Sequence, residues 1–365
     1  MFRRVGWVAA AVALSGFLLR RSGLWSDGEP RPLTGRDGQP LPGSLSEKVF
    51  IEVDGLRQGM FIRTRDPSHP VLLYLHGGMP EYFLAERYPE PLEQDFTVAW
   101  WEQRGAGLSW SPRIPAGTLT SEQLVADTLA VTDYLRGRFG QRRVYLMGHS
   151  GGSFIGLQAA ARAPDRYHAY IGTAQMVDQL RSEMLAYAYM LGRFRELGDD
   201  RMVRRLDAVP VTAGGGTPPG YLALRDTAMH RLGIGTTHEM TSVVTGIIWP
   251  SLRCRGYTPR EKAALWRAKL ASGVSPLWTE MLSTDLADCV PRLELPFYLL
   301  HGVHDRTCSY DLARSYAEHV EAPLKGFYTF PDSAHSPIFE EPQRAHRILH
   351  EDVLAGTNHL ADDWT

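Results

Sequence analysis

Val144-Tyr145-Leu146-Met147-Gly148-His149-Ser150-Gly151-Gly152 is a short apolar run that gives way to a serine flanked by glycines. Gly151 to Ala163 then continues with the length and periodicity of a helix. A strand that passes into a helix through Gly148-His149-Ser150-Gly151-Gly152 must turn so sharply that the serine backbone is strained. Glycines two residues before and after it let the neighbouring chains approach. The turn lifts the Ser150 hydroxyl above the sheet edge. It also aims the unpaired N–H groups of the following helix at any anion formed beside that hydroxyl.

Working outward from this turn, the chain alternates. Val71 to Leu75, Thr97 to Trp101, Arg143 to Met147 and His168 to Thr173 read as short buried strands, and Ser121 to Arg138 reads as a helix between two of them. Lys48 to Val53 and Leu56 to Thr64 are joined by Asp54-Gly55, the dipeptide favoured in a type I′ hairpin. The alternation resumes late in the chain, with Pro296 to Leu300 and Lys325 to Phe330 as strands, Tyr310 to His319 as a helix and a last helix from Glu341 to Leu354. Strands separated by helices imply right-handed parallel crossovers, so the expected fold is α/β, a doubly wound, mostly parallel sheet. Between the two parts, Gln179 to Leu197 and Pro259 to Ser272 read as helices around a flexible Ala213–Gly220 run. We read residues 48–176 and 293–365 as the catalytic core and 177–292 as an inserted helical cap.

The N-terminus differs in kind. Val5 to Leu19 is almost wholly apolar and is flanked by Arg3, Arg4, Arg20 and Arg21. Residues 1–23 therefore read as an anchor or signal segment, with a membrane as the expected partner of residues 5–19 and secretion after cleavage as the alternative. Residues 24–47, rich in proline and glycine, read as a tether. The 39 basic and 41 acidic side chains nearly cancel, which leaves no field to attract nucleic acid. The three cysteines, Cys254, Cys289 and Cys308, lack the short paired spacings of a zinc site or a disulfide framework.

A serine hydroxyl is a weak nucleophile at neutral pH and needs a base that is itself oriented by a carboxylate. Asp305 follows the strand Leu299-Leu300-His301-Gly302, and His335 follows the strand ending at Phe330, so both stand at the C-terminal sheet edge where such folds collect site residues. The chain order Ser150, Asp305, His335 is the one this architecture uses. Asp332 is the fallback acid, while His149, His301 and His304 are rival bases; the His149 side chain is expected to diverge from the serine. Tyr74-Leu75-His76-Gly77-Gly78-Met79-Pro80 ends another strand in glycines suited to an oxyanion hole, with the N–H groups of Gly78 and Gly151 as donors.

Over roughly Phe50 to Leu354 these residues resemble the α/β-hydrolase superfamily, and more narrowly its prolyl aminopeptidase-like branch. His76-Gly77-Gly78 is similar to the start of that branch's His-Gly-Gly-Pro-Gly signature. Trp101-Glu102-Gln103-Arg104-Gly105-Ala106-Gly107-Leu108-Ser109 is similar to its Asp-Gln-Arg-Gly-x-Gly-x-Ser segment. His76, Gly77, Gln103 and Arg104 are the expected supports of the oxyanion loop. Met79-Pro80 departs from the branch's Pro-Gly, Glu102 from its aspartate, and Gly151 from its common tryptophan. In that branch acidic cap residues hold the substrate's amino end, for which Glu183, Glu196, Glu239 and Glu280 are the candidates here. The expected chemistry is acyl transfer through Ser150 on a small molecule or short peptide, with no cofactor and no metal. Three readings stay open: an aminopeptidase for small N-terminal residues such as proline, a carboxylesterase, and a non-catalytic binding module on the same fold.

Overall fold

The computed structural model describes residues 25–35, 37–88, 92–272 and 275–363. Its strands are β1 (Leu45–Val53), β2 (Leu56–Thr64), β3 (Val71–Leu75), β4 (Thr97–Glu102), β5 (Val144–His149), β6 (Tyr167–Thr173), β7 (Phe297–Gly302) and β8 (Lys325–Phe330). They form one sheet in the order β1-β2-β4-β3-β5-β6-β7-β8. β2 pairs antiparallel with β1 and β4, and the remaining pairs are parallel. Asp54 and Gly55, at φ 48° and 67°, supply the two left-handed residues that the type I′ hairpin between β1 and β2 demands.

Helices α1 (Tyr82–Arg87) and α2 (Leu92–Asp95) lie between β3 and β4, α3 (Ser121–Phe139) between β4 and β5, and α4 (Gly151–Arg162) between β5 and β6. The insertion between β6 and β7 carries α5 (Gln179–Glu196), α6 (Asp200–Asp207), α7 (Pro219–Arg231), α8 (Trp249–Arg253), α9 (Pro259–Ser272), α10 (Pro276–Ser283) and α11 (Leu286–Cys289). α12 (Tyr310–His319) joins β7 to β8, and α13 (Pro337–Glu340), α14 (Pro342–Ile348) and a π-helical turn (Leu349–Val353) complete the order. The single last helix expected from Glu341 is thus an α segment that widens into a π turn.

Every residue of β3, β4, β5 and β7 is buried, because helices cover both faces of the sheet. Successive side chains therefore feed two cores: Leu73 and Leu75 join Leu146 and Leu299 on one side, while Leu72 and Tyr74 join Met147 and Leu300 on the other. The cap has a third cluster of its own, in which Met190, Phe194, Leu206, Tyr221 and Leu224 lock α5, α6 and α7 together. Of residues 24–47, read as a tether, the last three already belong to β1, and earlier ones lie partly on the domain: Leu33 is buried, and the Ser26 hydroxyl donates to the Tyr257 carbonyl.

The membrane assignment requires correction. Among the described residues no helix is long and apolar enough to cross a membrane, since a span needs about 20 apolar residues. Even α5, at 18 residues, carries Arg181, Glu183, Arg193, Arg195 and Glu196. Residues 5–19, on which the anchor, the membrane partner and the membrane localisation all rested, lie outside the described residues. None of those three assignments stands.

Candidate active site

The turn after β5 puts Ser150 at φ 53° and ψ −124°, one of three non-glycine residues with positive φ among those described. Such strain persists only where the surroundings hold it. Here the Ser150 N–H donates to the Thr173 carbonyl at 3.1 Å, and the Ser150 carbonyl accepts from Ser153 N–H at 2.8 Å. The flanking glycines are sterically required: a Cβ on Gly148 would lie 2.7 Å from the Gly152 carbonyl oxygen, and one on Gly152 would run into the carbonyl oxygens of Leu75 and His76. The glycine loop after β3 packs equally close, since a Cβ on Gly77 would sit 2.7 Å from the Ser150 Cβ.

Asp305 and His335 meet across the ends of β7 and β8. His335 Nδ1 lies 2.8 Å from Asp305 Oδ2. The approach of the two loops depends on Gly302, the last residue of β7, where any Cβ would collide with the carbonyl oxygens of Ser333 and Ala334. Asp305 is fully buried and accepts from Thr307 N–H at 2.8 Å and Cys308 N–H at 3.1 Å, with His301 Nε2 at 3.3 Å. Burial opposes its charge, but His335 and the donors of His301 outweigh it and hold the carboxyl well below the usual range. Burial pushes the His335 imidazole below its ordinary value, against the pull of Asp305. Cys308 shares this corner: its N–H binds Asp305, and its thiol, raised by burial, lies 3.8 Å from Gln179 Oε1. Asp332 is exposed at the loop surface. His304 stacks on His238 of the cap, ring centroids 3.9 Å apart.

A second carboxylate–histidine pair lies beneath the glycine loop after β3. His149 turns away from the serine, placing Nδ1 2.7 Å from Glu81 Oε1 and Nε2 2.6 Å from the His335 carbonyl oxygen. Both ring nitrogens face acceptors, so both carry protons and His149 is an imidazolium. Burial lowers it, but Glu81 more than restores the charge and raises its pKa. Glu81, which burial would raise, is held low by His149 first and by Tyr74. Glu81 Oε1 also accepts from Gly77 N–H at 3.3 Å, and the next residue of the loop, Gly78, is exposed.

The expected supports of this loop divide. Gln103 reaches it twice, donating N–H to His76 Nε2 at 3.1 Å and Nε2–H to the His76 carbonyl at 2.7 Å. His76 Nε2 therefore accepts, and the ring is neutral with its proton on Nδ1, directed at the Gly77 carbonyl at 2.8 Å. Burial lowers its pKa accordingly. Arg104 points elsewhere, forming a bidentate pair with Asp127 of α3, both bonds at 2.7 Å. Glu102, which stands in place of the shorter aspartate, reaches the Tyr257 hydroxyl of the cap, and burial pushes its carboxyl up to about 8.

Of the four acidic cap residues, Glu183 is buried and engaged by Arg225 Nε at 2.8 Å, the Tyr221 hydroxyl at 2.7 Å and Gln179. Glu196 pairs with Arg193, Glu280 accepts from Ser121 N–H at the start of α3, and Glu239 is exposed. Sequence reasoning missed Glu81 and Glu340. The Glu340 carboxylate accepts from the N–H groups of Ala334 at 3.0 Å and Ser336 at 3.1 Å, on either side of His335, and from His238 N–H of the cap at 2.6 Å. Burial nonetheless pushes it up to about 7. Both glutamates stand in ordinary sequence, and only their three-dimensional neighbours distinguish them. From the cap, Lys269 Nζ comes to Gly78 and Met281 to Gly151, each 3.3 Å from where a Cβ would stand.

The sequence profile of the family described as alpha/beta hydrolase fold matches residues 70–342. The chain is 30% identical over 310 residues to "Probable aminopeptidase YbaC" of Bacillus subtilis (strain 168), covering 83% of this chain and 95% of that one. Among solved structures, a proline iminopeptidase of Mycobacterium smegmatis superposes with a TM-score of 0.62 at 19% identity, covering 85% of this chain and all of that one. A proline iminopeptidase-related protein from Thermus thermophilus gives 0.55 at 21%, covering 85% and 98%. At those identities the structural likeness is one of fold. The profile match and the Bacillus relative, each spanning most of the sequence, show that the chain belongs to the alpha/beta hydrolase fold family and is a hydrolase of that superfamily.

Proposed function

We propose that the chain is a serine hydrolase working through an acyl-enzyme, with Ser150 as nucleophile, His335 as general base and Asp305 as the carboxylate that orients it. The observation that carries this reading is the 2.8 Å bond between His335 Nδ1 and Asp305, which leaves Nε2 as the ring's other nitrogen, while His149, the residue before Ser150, holds the His335 carbonyl 2.6 Å from its own Nε2. Ser150 Oγ adds to the substrate carbonyl carbon while its proton passes to His335 Nε2. The oxyanion is met by the N–H groups of Gly78 and Gly151, each worth about 3 to 4 kcal/mol in sites of this kind. As the tetrahedral species collapses, His335 protonates the leaving group. A water, deprotonated by the same ring, then adds to the acyl carbon and releases the acid, restoring Ser150.

Within this chemistry we favour an aminopeptidase for small N-terminal residues, because the Bacillus relative carries that description across nearly its whole length. One observation favours a carboxylesterase instead: Glu183, Glu196 and Glu280 are each engaged by another group of the protein, so an amine would have to compete for them. Labelling with a fluorophosphonate tests the shared chemistry: wild type should react and Ser150→Ala should not. An unlabelled wild type would leave the non-catalytic module as the better account. A panel of aminoacyl amides and short acyl esters then separates the two substrate classes, and turnover of esters alone would remove the peptidase reading.

A further inference from the structure

The end of the sheet remote from Ser150 holds an unassigned cluster of ligating side chains. Asp95, the last residue of α2, stands just before β4, whereas Glu102 at the other end of that strand borders the oxyanion loop. Six strand residues at about 3.3 Å each separate the two regions by about 20 Å. Opposite Asp95, His346 of α14 and His350 of the π turn are four residues apart, their ring centroids 5.7 Å from one another. His346 Nε2 lies 2.9 Å from Asp95 Oδ2 and His350 Nδ1 3.1 Å from Asp95 Oδ1. Among the described residues this is a set of three groups whose donor atoms all fall within 4.8 Å of one another.

We infer that Asp95, His346 and His350 form a binding site for a divalent transition-metal ion of the zinc type. Two imidazole nitrogens and one carboxylate oxygen suit zinc and its neighbours, whereas calcium and magnesium call for more oxygens. Bonds of about 2.0 to 2.1 Å in a tetrahedral ion separate its donors by about 3.4 Å. The two spacings to Asp95 fall a few tenths of an ångström short of that figure and all three donors lie within 4.8 Å, and both histidine side chains are accessible, at 35% and 61%, so rotation about their side-chain bonds closes the site without moving the backbone. On binding, the nitrogen of each ring that faces Asp95 offers its lone pair to the ion, and the ring N–H is carried on the second nitrogen. Three protein ligands leave a position for water. The sequence signal is the His346-x-x-x-His350 spacing, and its third member lies some 250 residues away. An ion here ties the approach to β4 to the C-terminal helices and, at this distance from Ser150, acts on stability.

The test uses the full chain freed of metal by chelation and dialysis, titrated calorimetrically with ZnCl2 and spectroscopically with CoCl2. Wild type should bind one Zn2+, give the visible absorption of low-coordinate Co2+, and unfold at a higher temperature with Zn2+ than without. His346→Ala/His350→Ala should lose about 100-fold or more in affinity along with the cobalt band and the thermal shift. Its fluorophosphonate labelling at Ser150 should be unchanged, which shows it folded. If that variant fails to fold, Asp95→Asn with His350→Gln replaces it. Absence of stoichiometric zinc binding by wild type, or binding retained in the variants, overturns the proposal and leaves the cluster as ion pairs only.

Discussion

Replacing Glu81 by glutamine keeps the shape of the side chain and removes one charge from beneath the oxyanion loop. In Glu81→Gln the amide oxygen can still accept from Gly77 and His149, and the amide nitrogen can donate to the Tyr74 hydroxyl oxygen. His149, however, loses its counter-charge. A neutral imidazole has one N–H to serve two acceptors, so if Nδ1 keeps the proton, a bare Nε2 faces the His335 carbonyl now 2.6 Å away. A charge-assisted bond is worth about 1.5 to 3 kcal/mol, and a buried carbonyl left unpaired costs about 1 to 3 kcal/mol, so we expect a loss of about 2 to 4 kcal/mol in stability. The loss depends on pH. Glu81 is held below its ordinary 4.5, so its contribution is complete above that value and fades as pH falls through the lower folded pKa. His149 is raised above 6.5, so its contribution is complete below 6.5 and fades as pH rises through the higher folded pKa. The difference between wild type and variant should therefore be fully expressed between pH 4.5 and 6.5, where urea denaturation would measure it. Repulsion pushes the His335 main chain aside, and a displacement of about 1 Å at a base costs on the order of 100-fold in kcat. The charge of His149 also depresses His335 more than Glu81 raises it, so the acid limb of kcat/KM should move to higher pH in the variant. Equal urea midpoints in that window together with an unmoved acid limb would refute the reasoning.

Three further outcomes follow from other parts of the molecule. For wild type, the acid limb of kcat/KM should have its midpoint below 6.5, because burial lowers His335; a midpoint at or above 6.5, with acylation limiting the rate, contradicts the assignment of that ring as base. Gly302→Ala should cost about 3 kcal/mol or more, since its Cβ meets two main-chain carbonyls that cannot swing away, and an unchanged urea midpoint would show that the loops after β7 and β8 are not so closely apposed. Asp127→Ala strands the buried Arg104 guanidinium, whose side chain is 3% accessible, and should cost about 3 to 5 kcal/mol in the same denaturation assay; a loss under about 1 kcal/mol would mean that Asp54 suffices to satisfy it.

Local chemistry made the core legible in the sequence. Apolar runs of strand length, the Asp54-Gly55 turn and the glycines around Ser150 state backbone geometry directly, and the strands from Val71 to Leu75, Leu56 to Thr64 and Lys325 to Phe330 lie where periodicity places them. The order of Ser150, Asp305 and His335 was readable for the same reason, since each follows a strand. What the sequence could not state was which polar atoms share one buried volume. The Glu81–His149 imidazolium, the clamp of Glu340 on both sides of His335, the turning of Arg104 toward Asp127 and the meeting of Asp95 with His346 and His350 join residues up to 255 positions apart. A hydrogen bond or ion pair depends on ångström distances that only the packed sheet, helices and cap together define, whereas a turn or a strand depends on its own few residues. That is why the fold was written locally and the electrostatics of the site was decided by tertiary structure.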